Sequence, residues 1–166
     1  MNKINKDEFI RVLDENIGIL IKISRIYAFN EEDRKDLINE ITFQLWKSYS
    51  SFNGDSKIST WLYRVSLNVS MNYSRQKKKE FRFTSINDFD IDNKWIADYE
   101  VHNTEQYDIL YKSIEKLSTI NKAIILLYLD KQSHEEIAVV MGTSASNVGT
   151  RIGRIKQELK NLIIKA

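Results

Sequence analysis

The chain has 166 residues, of which 42% are apolar and 29% charged; it can bury a core, is too balanced to be disordered throughout, and is long enough for one domain or two small ones. It contains no cysteine, which excludes a disulfide framework, a thiolate nucleophile and a cysteine-ligated zinc site, and a reducing compartment follows as the natural expectation. A formal net charge of +2 says little about partners, so the distribution of charge is the more informative property.

Residues 1–8 lack a compact apolar signal segment. The longest apolar run, residues 123–129, is closed by Asp130 and falls far short of the roughly 20 residues that span a bilayer. These features predict a cytoplasmic protein without membrane insertion.

Proline is absent, and only Gly18 and Gly54 precede Gly142, so little interrupts helix propagation and an all-α fold is expected. In chain order, Ile10, Leu13, Ile17, Leu20 and Ile21 recur at helical spacing. Asn30 followed by Glu31, Glu32 and Asp33 marks the start of a second helix, whose apolar stripe is Leu37, Ile38, Ile41, Leu45 and Tyr49. A third helix is predicted over about residues 60–79. The periodicity then fades, and further helices are predicted over residues 107–116, 119–129, 134–141 and 145–164. The expected architecture is two small helical domains, residues 1–82 and 107–166, joined by an acidic flexible linker over residues 83–106, the second domain having four helices and a helix-turn-helix.

Charge divides along the same line. Lys57, Arg64, Arg75, Lys77, Lys78, Lys79 and Arg82 are opposed only by Glu80, whereas Asp88, Asp90, Asp92, Asp98, Glu100, Glu105 and Asp108 meet only Lys94. A basic block is thus followed by an acidic one.

Ser133-His134-Glu135-Glu136 fits a capping box, and Ile137, Ala138 and Met141 supply a buried side for the short helix it opens. Gly142 can end that helix in the left-handed conformation, and Ser144 can cap the next. Two helices joined by a short turn containing glycine form a helix-turn-helix pattern, which aims the second helix at a DNA major groove. In that helix Val148, Ile152, Ile155, Leu159 and Leu162 form one apolar face. Asn147, Thr150, Arg154 and Gln157 cluster opposite, with Arg151 at the border, and Ser144 and Ser146 lie at the start. These side chains suit phosphate and base-edge hydrogen bonding, although a plain helical hairpin with a solvated polar face has the same pattern.

Upstream, a polar loop with Asn53, Gly54, Asp55, Ser56 and Lys57 leads into a helix on which Trp61, Arg64, Asn68, Asn72, Arg75 and Lys79 share a sector, beside Leu62, Val65, Val69 and Tyr73. A large aromatic among amides and cations suits nucleic acid with partly unstacked bases, since stacking contributes about 1–3 kcal/mol per base. The alternative is that Trp61 is a core residue and the charge run from Arg75 to Arg82 is solvated.

At these two constellations the sequence resembles the extracytoplasmic-function sigma factors, small bacterial RNA polymerase sigma subunits, over almost its whole length. Asp36-Leu37-Ile38-Asn39-Glu40-Ile41 is similar to the family's polymerase-clamp-binding helix, and Ser59-Thr60-Trp61-Leu62-Tyr63-Arg64 to its promoter-melting segment. The stretch from Leu117 to Leu162, with Ser133-His134-Glu135-Glu136-Ile137-Ala138 and Val148-Gly149-Thr150-Arg151-Ile152, resembles its second domain. The resemblance implies core RNA polymerase and promoter DNA as partners, together with an anti-sigma factor. It implies polymerase contact through Asp36, Leu37 and Glu40. For the minus-ten element it points to Asn53, Asp55, Ser56, Lys57, Trp61, Arg64, Asn68, Arg75 and Lys79, with a flipped base held partly by the loop at residues 53–58. For the minus-thirty-five element it points to Ser144, Ser146, Asn147, Thr150, Arg151 and Arg154. The acidic linker resembles the connecting segment that threads into the polymerase. The sequence departs from the family at Asn39, where glutamine is frequent, at Ser118, where proline is usual, and at Gly149, where lysine or another side chain is common.

His102 and His134, the only histidines, form no recognisable triad or metal cluster with other residues in the sequence, so no enzyme activity, metal or cofactor is expected. The competing readings are a free-standing helix-turn-helix regulator, which would need a dimer, and a helical adaptor that binds protein alone.

Overall fold

The computed structural model describes residues 5–77 and 105–166. The chain divides into two compact units, Met1–Tyr99 and Glu100–Ala166. The described residues form seven helices and no strand, as the absence of proline and the scarcity of glycine predict. The predicted linker and Lys79 lie outside the described residues, apart from Glu105 and Gln106, which open a helix two residues earlier than its apolar pattern suggests.

The first unit contains α1 (Lys6–Tyr27), α2 (Glu31–Tyr49) and α3 (Ile58–Lys77), each packed against the other two. Asparagine starts the first two helices: Asn5 Oδ1 accepts from the Asp7 N–H at 3.1 Å, and Asn30 Oδ1 from the Asp33 N–H at 2.8 Å. Leu20, Ile23 and Ile26 of α1, Leu37, Ile41 and Leu45 of α2, and Leu62 and Leu67 of α3 are completely or almost completely buried. Two predicted stripes are corrected. In α1 the buried aromatic Phe9 replaces Ile10, which is 38% exposed. In α3 the buried arc runs through Leu62, Tyr63, Ser66, Leu67, Ser70 and Tyr73, whereas Val65 and Val69 are only half-buried. The physical reason is that α3 is covered from two sides, by α1 and by α2, so its buried arc is broader than one apolar stripe and takes in two serines. The Ser70 hydroxyl is accommodated by donating to the Ser66 carbonyl at 2.8 Å.

The second unit contains α4 (Glu105–Glu115), α5 (Thr119–Leu129), α6 (His134–Met141) and α7 (Ala145–Ile164). The long α7 packs on the other three through Val148, Ile152, Ile155 and Leu159, as its apolar spacing predicts. Leu162 at the end of that stripe is only half-buried, and in α6 Val140 rather than Met141 completes the buried side. Ser118 caps α5 by accepting from the Asn121 N–H at 3.3 Å, so serine starts this helix through a hydrogen bond.

The turn between α6 and α7 follows from its sequence. The Ser133 Oγ accepts from the Glu136 N–H at 3.1 Å, while the Ser133 N–H donates to Glu136 Oε2 at 2.8 Å, completing the capping box. Gly142 ends α6 at φ 67° and ψ 40°, and Ser144 Oγ then accepts from the Asn147 N–H at 3.1 Å to begin α7. A Cβ at Gly142 would meet no atom within 4 Å, so a substitution there acts through the backbone alone. Gly142→Ala is expected to destabilise the second unit by about 1 kcal/mol. Calorimetry of the full chain should show the fall in that unit's transition temperature.

Candidate nucleic-acid interface

The loop before α3 is built to hold a fixed shape at the surface. Asn53 Oδ1 accepts from the Asp55 N–H at 3.3 Å, and Asn53 Nδ2 donates to Asp55 Oδ2 at 2.6 Å. Gly54 between them has φ 81°, a left-handed conformation that glycine adopts without steric cost. Asn53, Asp55 and Lys57 are exposed and Ser56 is half-buried, so the loop presents amide, carboxylate and ammonium groups together.

Trp61 follows one turn into α3. It is half-buried, with its ring 5.3 Å from that of Phe52 and 6.1 Å from that of Tyr49. Tyr49 in turn meets Phe9 at 5.3 Å, and its hydroxyl donates to Glu8 at 3.2 Å. Trp61 is therefore neither a pure core residue nor a free stacking platform: one part of it joins an aromatic cluster that reaches α1, and the rest faces solvent. Beyond it, Arg64, Asn68, Asn72 and Arg75 are all exposed along one face of α3.

This face borders a groove between α2 and α3 with a volume of about 630 Å³. Glu40 and Gln44 line it from α2, and Asn68 and Asn72 from α3, with Val65 and Val69 supplying apolar surface. The structure thus brings a predicted polymerase-contact residue, Glu40, to the same groove as Asn68, and adds Gln44. Glu40 and Gln44 are four residues apart and share a hydrogen bond of 2.9 Å, a helical spacing that was visible in the sequence.

Asp36 is exposed on α2, and partial burial together with the like charge of Glu32 pushes its carboxyl above the usual aspartate range. Leu37 requires a correction. It is 0% exposed, so it packs in the core and offers no surface to a partner in this fold.

In the second unit Ser144, Ser146, Asn147, Thr150 and Arg154 are exposed, and Arg151 is half-buried at the edge of the apolar face. Several of these side chains already have local partners. Ser144 Oγ serves the helix cap, Asn147 Nδ2 donates to Thr143 Oγ1 at 2.9 Å, and the Thr150 hydroxyl donates to the Ser146 carbonyl at 3.2 Å. A Cβ at Gly149 would lie 3.4 Å from Nδ1 of His134, an ordinary van der Waals contact, so the imidazole at the start of α6 packs beside α7 here without requiring glycine. Among the described residues no group of histidine and acidic side chains is arranged to hold a metal ion. No described helix is long and apolar enough to cross a membrane.

Comparison with known proteins agrees with this two-unit reading. Residues 13–80 match the Sigma-70 region 2 family, and residues 107–159 match Sigma-70, region 4. The ECF RNA polymerase sigma-E factor of Escherichia coli K12 is 29% identical over 141 residues, covering 79% of this chain and 74% of the relative. The RNA polymerase sigma factor YlaC of Bacillus subtilis is 29% identical over 143 residues, covering 81% and 80%. Among solved structures, CnrH in complex with the cytosolic domain of CnrY superimposes with a TM-score of 0.68 at 23% identity, over 97% of this chain and 90% of that one. RpoE from Bartonella quintana, in complex with the anti-sigma factor NepR, gives 0.67 at 20% identity over 95% of each chain.

Two helical units carrying sigma-70 regions 2 and 4 in that order define a transcription initiation factor. The chain belongs to the sigma-70 family of RNA polymerase sigma factors, in its extracytoplasmic-function group. It directs transcription from promoters, and sigma factors are non-catalytic initiation factors. A free-standing regulator is not favoured, because the first unit also matches a sigma region.

Proposed function

We propose that the two units divide promoter recognition between them, with boundaries at residues 1–82, 83–106 and 107–166. The first binds the polymerase clamp through Asp36 and Glu40 and opens the minus-ten element along Trp61, Arg64, Asn68, Arg75 and Lys79. The loop residues Asn53, Asp55, Ser56 and Lys57 take part in selecting a base extruded from the non-template strand. The second unit docks α7 in the major groove of the minus-thirty-five element through Asn147, Thr150, Arg151 and Arg154, with Ser144 and Ser146 at the helix start. The observation that carries this reading is the shared groove, where Glu40 and Gln44 face Asn68 and Asn72, so that one surface serves both polymerase and DNA. The protein acts on polymerase in the cytoplasm, and the acidic linker enters a cavity that otherwise holds nucleic acid.

An anti-sigma factor restrains it by covering the clamp-binding face or by holding the domains apart, since either action prevents engagement of both promoter elements at once. Of the solved structures it resembles, RpoE was captured with the anti-sigma factor NepR, and CnrH with the cytosolic domain of CnrY. A cocrystal that left both surfaces free would contradict this.

Run-off transcription with core polymerase and a genomic promoter library tests the assignment. Promoter-specific transcripts are expected with the wild-type chain and are expected to fall by about tenfold or more with Asp36→Ala/Glu40→Ala, the scale of losing buried interface charges. Undiminished transcripts from the double variant would move the polymerase contact elsewhere.

A further inference from the structure

The sequence counts Lys77 with the basic block, yet the structure turns it away from the face proposed to meet DNA. At about 100° per residue it projects from the middle of the buried arc of α3, in line with Ser66, Ser70 and Tyr73, whereas Arg75 projects with Arg64 and Asn68. Its ammonium pairs with the carboxylate of Asp33, at the start of α2.

Asp33 is held in place before it receives that cation. Its backbone N–H donates to Asn30 Oδ1 at 2.8 Å, and its Oδ2 accepts from Asn30 Nδ2 at 2.6 Å. The Lys77 ammonium also lies 5.6 Å from the centre of the Tyr73 ring, which is 3% exposed. Burial, and next the charge of the Asp36 carboxylate, push the Tyr73 phenol upward. The end of α3 and the start of α2 are therefore tied by one clip of Asn30, Asp33, Tyr73 and Lys77, one turn from a residue proposed to bind polymerase.

We propose that Asp33 and Lys77 are positioning residues for promoter opening: their ion pair fixes the last turns of α3 against α2, so that Arg75 points outward while α2 is held by polymerase. The inference rests on the reading of α3 as the melting element. An exposed ion pair contributes little to global stability, so its removal leaves the fold intact. It acts instead on how the turn of α3 that carries Arg75 and Lys77 lies against α2.

The test uses holoenzyme assembled from the full chain and core polymerase, on a promoter obtained by run-off selection. Core binding, closed-complex formation and the opening rate, by permanganate reactivity, are measured for Lys77→Met, Lys77→Arg, Asp33→Asn and the Asp33→Asn/Lys77→Met double variant. Methionine keeps an apolar stem beside Tyr73 without the charge, and arginine keeps the pair. The expected result is an opening rate reduced by about fivefold in Lys77→Met and in Asp33→Asn, no further reduction in the double variant, and near wild-type opening in Lys77→Arg, with core binding unchanged throughout. If Asp33→Asn opens DNA like the wild type while Lys77→Met does not, Lys77 acts on DNA directly and the proposal fails. It also fails if neither variant slows opening. Arg75→Ala is the control: if it too leaves opening unchanged, the reading of α3 is at fault rather than the clip, and a melting curve for each variant detects any that is misfolded.

Discussion

Replacing Leu37 by alanine is expected to destabilise the first unit by about 3 kcal/mol, the usual scale for truncating a buried leucine, and to lower polymerase binding only as a consequence of that loss. Leu37 is 0% exposed and sits between two positions that do face solvent, Asp36 and Asn39. Asp36→Ala should behave in the opposite way. It is expected to reduce polymerase binding while leaving thermal stability equal to or slightly above that of the wild type at neutral pH. The sign follows from the raised carboxyl: the folded state disfavours the Asp36 charge, so the wild type carries that small penalty when ionised and is relieved of it as the pH falls through the folded value toward the ordinary aspartate range. The stability difference between Asp36→Ala and wild type should therefore vanish in acid. Chemical denaturation and a core-binding titration on both variants separate the two effects. Leu37→Ala with wild-type stability would show that this core tolerates the cavity, and loss of binding at full stability would return Leu37 to the contact surface.

The Leu37 case also shows where reading the sequence reached its limit. A motif match names neighbouring residues together, but consecutive residues on a helix point about 100° apart, and the fold sends Asp36 outward and Leu37 inward. The same limit applies to α3. A stripe of Leu62, Val65, Val69 and Tyr73 is the natural reading when one apolar face is sought. The buried serines Ser66 and Ser70 give no hydrophobic signal, and only the presence of both α1 and α2 explains why they are covered. Lys77 belongs to the same lesson, since its partner Asp33 lies 44 residues away and no local pattern links them. Trp61 could be argued either as core or as a stacking residue from composition alone, and the rings of Tyr49 and Phe52 beside it show that it is partly committed to packing.

The helix-turn-helix was legible almost residue by residue because local chemistry determines it. Ser133 with Glu136, Gly142 and Ser144 each satisfy or free backbone groups within four residues of themselves, so their roles depend little on the rest of the fold. The apolar spacing of α7 then fixes which side faces the core, and with it which side is left exposed. Gly149 could not be read in this way. The imidazole of His134, fifteen residues earlier in the chain, lies beside it, but a Cβ there would make only an ordinary van der Waals contact, and nothing in the structure explains glycine at this position.

Arg154→Ala is expected to weaken binding to the minus-thirty-five element by about 1–3 kcal/mol, with the loss concentrated at one base pair of the site. Arg154 is fully on the exposed face of α7, and its guanidinium can present two parallel donors to a guanine edge. Arg151, half-buried beside Ile152, has less freedom to reach a base and is better placed for the phosphate backbone. Arg151→Ala should therefore weaken binding uniformly across site variants and reduce the salt dependence by about one phosphate contact. The measurement is a set of holoenzyme affinities for promoters carrying single substitutions in that element, each at several salt concentrations. Base-specific loss for Arg154→Ala and a flatter salt dependence for Arg151→Ala would assign the two arginines to readout and anchoring. The reverse pattern would mean that the edge of α7 carrying Arg151, rather than the centre of its polar face, enters the groove most deeply.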